Sequence, residues 1–218
     1  MPEKHEIIFE KQEEKEKQGS LEKLAQFSIQ KQLQVLNLKE IMILGSFILI
    51  SGTGRIFTQG VPSVEPIIFF AILAGWLFGS KKGFLVGATS LFISNFFVLG
   101  GQGPWTAFQA LGFGIAGFLG GLLRKKSTLL ECMLLTILAT LIFEIIVDLG
   151  SLIYNPANIF SIFLLSMPFL VIHVVSNSIF SLALPKAKQF IERRGKFDER
   201  EIYREFLAKF RRKKHESK

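Results

Sequence analysis

The chain has 218 residues, 49% of them hydrophobic, with 23 Phe and a formal net charge of +8. So basic a balance would suit a nucleic-acid binder, but no recognition motif accompanies it and the surplus sits apart from the apolar residues. Residues 1–39 hold seven Lys/Arg and seven Asp/Glu, residues 40–185 six and five, and residues 186–218 thirteen and six, which argues against nucleic acid and for a membrane surface.

In chain order, residues 1–38 read as a cytoplasmic N-terminal arm, helical or disordered, in which Glu and Lys alternate; it is too polar for a signal peptide. Residues 39–185 read as a transmembrane domain. Six apolar segments stand out, at about 40–54, 64–79, 83–99, 106–123, 128–153 and 159–185, with no strand-like alternation. The expected fold class is therefore an all-α membrane protein, a bundle of six transmembrane helices. Several segments fall short of the ~20 residues that cross a ~30 Å hydrocarbon core, so the first four are expected to extend into their flanks or to thin the bilayer. Residues 186–218 read as a basic amphipathic cytoplasmic tail, with Ile202, Phe206 and Phe210 at helical spacing, suited to an anionic leaflet. The lone Cys132 lies in an apolar segment, which excludes an intrachain disulfide.

Lys and Arg collect on the cytoplasmic side of membrane proteins. Here Lys81 and Lys82 join segments two and three, Arg124, Lys125 and Lys126 join four and five, and the basic tail follows six, whereas the other three connections, around 58–63, 100–105 and 154–158, hold no Lys or Arg. Both termini are thus expected in the cytoplasm of a multi-pass plasma-membrane protein.

On that orientation Arg55, Glu65, Asn95, Gln109, Glu144 and Asp148 all fall in the outer half of the bundle, where they are expected to face one another around a water-accessible cavity. Each has a plainer reading. Glu65 before Pro66 suits a helix start, and Arg55 suits an ion pair with Glu65. Asn95 suits a helix-to-helix hydrogen bond, and Trp105 an interfacial anchor. Glu144 and Asp148 are harder to dismiss, because like charges four residues apart share a helix face and repel. His173 and Asn177 also share a face; a hydrogen bond to a neighbouring helix is the commoner use of such a histidine. Their HxxxN spacing is similar to one motif of intramembrane CAAX-type proteases. The paired-glutamate motif with its downstream arginine is missing, and Glu144 and His173 are expected roughly 9 Å apart in depth.

Glycines recur at packing intervals, Gly75 with Gly79, Gly83 with Gly87, and Gly117 with Gly121, as befits helices that approach closely in lipid. Most of these contacts are expected inside the bundle, while Gly45, Ser46 and Gly52 form a ridge able to dock a partner. A GxxxxGK[ST] loop does not occur, so the chain itself is not expected to hydrolyse ATP or to be an enzyme, and no cofactor is expected.

Arg55, PSVEP at 62–66, SNFF at 94–97 and GQGPWTAFQ at 101–109, set in this topology, resemble the substrate-binding S component of energy-coupling factor (ECF) transporters over about residues 40–185. The resemblance implies a vitamin or cofactor-precursor binder that joins a transmembrane scaffold subunit and two ATPase subunits. It implies a ligand site on the extracytoplasmic face, a lid at 101–105, and contacts from Glu65, Asn95, Gln102, Trp105, Gln109 and Asp148. The AxxxA docking pattern usual in the first helix is absent here. Trp105 with Gln102 and Gln109 would favour a neutral heterocycle, held by ring stacking and amide hydrogen bonds. A self-sufficient ion-coupled carrier using Glu144 and Asp148 is the alternative, and an intramembrane hydrolase a further one.

Overall fold

The computed structural model describes residues 27, 37–155 and 158–194. Contacts group the chain into two units, of which Ile41–Gly195 is the helical body; the other, Met1–Glu40 with Lys196–Lys218, lies almost wholly outside the described residues. The expected arm and most of the expected tail therefore lie outside them too.

The described residues form helices without strands: α1 (Asn37–Thr58), α2 (Ile67–Phe78), α3 (Ser80–Ser94), α4 (Trp105–Gly120), α5 (Leu129–Tyr154), α6 (Ile159–Ser181) and α7 (Leu184–Arg194). Three runs are long and apolar enough to cross a membrane: α1, α5, and Ile159–Arg193, which takes in α6 and nearly all of α7. Helices α2, α3 and α4 have 12, 15 and 16 residues, which at 1.5 Å per residue reach only about 18, 22 and 24 Å.

The boundaries have local causes. Pro66 precedes α2, where a missing N–H costs nothing. Gly79 alone separates α2 from α3, with φ 97° and ψ 159°, a conformation that side chains disfavour. This one-residue break corrects the expected boundary, since Lys81 and Lys82 stand in the first turn of α3 and not in a loop. A capping box starts α5: the Thr128 hydroxyl accepts from the Glu131 amide at 3.3 Å, and the Glu131 carboxylate from the Thr128 amide at 2.7 Å. Asn158 caps α6 through the Phe160 amide, and α6 carries Pro168 within it.

Helix α2 is apolar on every side and sits at the centre, with Ile67, Ile68, Ala71, Ile72, Leu73 and Ala74 buried. Helix α3 packs on both α2 and α4, α4 on α5, and α5 on α6. Backbones touch where the glycines meet. A methyl group on Gly75 or Gly83 would strike the Gly117 carbonyl, one on Gly117 the Gly83 carbonyl, and one on Gly120 the Ile72 carbonyl. The ridge on α1 divides, because Gly52 faces Ser90 and Ser94 of α3 while Gly45 has open space around it.

The beginning of the expected tail packs on the body. In α7, Leu184, Ala187, Lys188 and Ile191 fall at helical spacing, and Leu184, Ala187 and Ile191 join the core while Phe190 stays exposed.

Polarity is inverted relative to a water-soluble protein. Leu49, Ile50, Leu134, Leu138, Leu164 and Leu165 are exposed, whereas Asn95, Thr136, Thr140, Glu144, Asp148, His173 and Asn177 are buried. Water would penalise that surface and hydrocarbon would not, so the fold is that of a membrane protein.

Candidate functional site

At the end of the body where α1 and α3 finish and α2 and α4 begin, the helices part around a cavity of about 340 Å³. Its wall draws on α1 (Arg55), the α1–α2 link (Ser63, Glu65), the segment after α3 (Val98, Leu99), α4 (Gln109), α5 (Phe143, Glu144, Asp148) and α6 (Ser166, Phe169, His173). Gln59 ties the rim together by accepting from the Leu99 amide at 3.0 Å, and Ser176 of α6 donates to the Ser63 carbonyl at 3.0 Å.

Arg55 organises one side. Its Nε donates to Glu65 Oε2 at 2.5 Å, and its Nη1 to Ser94 Oγ at 3.0 Å and Asn95 Oδ1 at 2.6 Å. Asn95 passes the chain onward, with Nδ2 donating to Thr106 Oγ1 at 3.1 Å and Gln109 Oε1 at 3.5 Å. A guanidinium shared among three acceptors fixes the geometry of all of them.

His173 organises the other. Its ring is 1% exposed, stands edge-on to Phe143 with centroids 5.1 Å apart, and places Nδ1 2.6 Å from Glu144 Oε1. An ionised carboxylate only accepts, so against ionised Glu144 the proton sits on Nδ1. Nε2 then has no hydrogen-bond partner among the described residues, with Glu65 Oε1 4.0 Å away. Asp148, one turn from Glu144, accepts from the Ser166 hydroxyl at 2.7 Å. Deeper in, Asn177 donates to Thr140 at 3.2 Å.

Of the residues expected from the sequence, Arg55, Glu65, Gln109, Glu144 and Asp148 line the cavity. Asn95 stands behind Arg55, buried, as a positioning group. Gln102 and Trp105 are outside the lining. The Gln102 amide donates to the Phe92 carbonyl at 2.7 Å on the surface, and the Trp105 indole donates to the Gly101 carbonyl at 3.3 Å and meets Tyr154 edge-on. The rim beside the cavity is made by 59–64 and 98–99 instead of 101–105.

The expected 9 Å between Glu144 and His173 is corrected to hydrogen-bond contact. Glu144 lies ten residues before the end of α5 and His173 fourteen after the start of α6, a mismatch of four residues or about 6 Å. Side chains lean toward the N-terminus of their own helix, so in this antiparallel pair the two lean toward each other and close the gap. ExxxD and HxxxN on consecutive helices were the available signal for His173. Ser166, one hydroxyl in an apolar run, offered almost none.

Among the described residues no three His, Cys, Asp or Glu side chains group as metal ligands. The arrangement can anchor a polar guest by charge and by directed hydrogen bonds.

Residues 36–198 match a family described as a family of unknown function (DUF6580). The chain belongs to that family. The match runs from just before α1 to just beyond α7, so every cavity residue lies within it. No curated protein and no solved structure matches the chain.

Proposed function

We propose that this protein is the substrate-capture subunit of an ECF-type, ATP-driven importer for a vitamin or cofactor precursor. The observation that carries the reading is the convergence of Arg55, Glu65, Gln109, Glu144, Asp148 and His173 on one cavity, inside a body whose exterior is apolar. Burying that many polar groups in lipid is costly unless they hold something.

Orientation supports the same reading. The connections nearest the cavity, at 58–63 and 100–104, contain no Lys or Arg, while Arg124, Lys125, Lys126 and Lys186 stand near the opposite end. The cavity then opens to the extracytoplasmic side of the plasma membrane, with six spans and both termini in the cytoplasm. Short α2, α3 and α4 fit such a bundle where the bilayer thins around it. Gly100 and Gly101, with φ 91° and 58°, supply a backbone hinge beside the rim. Ligand binding closes the site, and ATP hydrolysis in a partner complex of a scaffold subunit and two ATPases drives release inside. The resemblance in GQGPWTAFQ is what names those partners.

A second reading, an ion-coupled carrier, is favoured by the run Arg55–Glu65, His173–Glu144, with 4.0 Å between Glu65 and His173. Co-purification from native membranes and reconstitution separate the two. The capture subunit brings down a membrane scaffold and two ATPases and accumulates its compound in proteoliposomes only with them and ATP. Accumulation by the isolated chain under an ion gradient would overturn the importer reading.

A further inference from the structure

We infer that the guest of this cavity is a small organic cation bearing N–H donors, such as a protonated amine or an amino-substituted heterocycle, seated against Asp148. The inference rests on the capture reading and adds the chemistry of the captured compound.

The wall holds three carboxylates, Glu65, Glu144 and Asp148, against one guanidinium and one imidazole. Arg55 is committed to Glu65, while His173, with its one proton on Nδ1, donates to Glu144 without supplying a charge. Asp148 is left with one hydroxyl donor, Ser166, and no basic partner among the described residues, although it is only 8% exposed. A carboxylate on the cavity wall without a basic partner calls for a positive charge, and the open volume beside it is where one fits.

His173 gives a second, independent sign. Its buried Nε2 lacks a hydrogen-bond partner among the described residues and, with the proton on Nδ1, offers a lone pair. An N–H of the guest satisfies it. A cation that presents N–H groups to Asp148 and to Nε2 answers both deficits at once, which a purely acceptor ligand or an anion does not. Phe143 and Phe169 supply ring surface for the apolar part. The neutral heterocycle suggested by Gln102 and Trp105 loses two of its three supports, because of that group only Gln109 reaches the cavity.

The test uses three probes of one size on the full chain in nanodiscs at pH 7: benzylamine, benzyl alcohol and benzoate, titrated calorimetrically and by thermal shift. Benzylamine is expected to bind at least about tenfold more tightly than benzyl alcohol, with benzoate weakest. Asp148→Asn is expected to erase that preference, and Asp148→Glu, which keeps the charge if the amide folds poorly, to retain it. Benzyl alcohol binding as tightly as the amine, or an amine preference that survives Asp148→Asn, overturns the cation inference and leaves the capture site standing. Failure of all three probes to bind overturns the capture reading with it.

Discussion

The two ends of the helical body solve opposite problems with similar residues. At the end near α7, Lys188 is 6% exposed yet satisfied: its Nζ donates to the Lys125 carbonyl at 3.1 Å and to Glu192 at 2.6 Å, and lies 5.0 Å from the Trp76 ring centroid. Trp76 in turn donates to the Arg124 carbonyl at 2.8 Å. At the cavity end the charges are more numerous, and among the described residues Nε2 of His173 lacks a hydrogen-bond partner and Asp148 has only a hydroxyl, with about 340 Å³ standing open beside them. A buried charge with its donors used holds a fold together; buried polar groups left short beside empty space mark where a ligand completes the structure.

The comparison is broken most severely by closing the glycine contacts from which both ends are hung. Gly117→Leu drives a side chain into the Gly83 carbonyl and is expected to cost about 3 kcal/mol or more, read as loss of folded protein in detergent. Next is Arg55→Ala, which strands Glu65 and frees Asn95. It is expected to cost about 3 kcal/mol of stability and to abolish ligand retention, measured by thermal unfolding with and without ligand. Lys188→Met sharpens the contrast. It removes a satisfied charge and is expected to lower stability by about 1 to 2 kcal/mol while leaving ligand affinity unchanged. The smallest effect belongs to Gln102→Ala, whose surface bond to Phe92 is remote from the lining; affinity is expected to shift less than about twofold, against tenfold or more for Gln109→Ala.

How far the site could be read beforehand depends on what each residue's role rests on. Arg55, Glu65, Glu144 and Asp148 were legible because charge inside an apolar segment is conspicuous whatever the packing. The contact of His173 with Glu144 is harder to read, since counting rise along two helices ignores the lean of side chains toward their own N-termini. Trp105 and Gln102 stand outside the lining because a loop rich in glycine and amides can satisfy its own donors, as both do on nearby carbonyls. The brevity of α2 and its one-residue link at Gly79 depend on a backbone conformation that an apolar run cannot announce. The same glycines did announce close helix contact, and those contacts are present at Gly75, Gly83 and Gly117.

The most direct measurement is native mass spectrometry of the full chain purified from its own membranes, comparing wild type with Glu144→Gln/Asp148→Asn. The account predicts one small-molecule adduct on the wild type and none on the folded double variant. A wild type without an adduct, or an adduct retained undiminished by the variant, would contradict it.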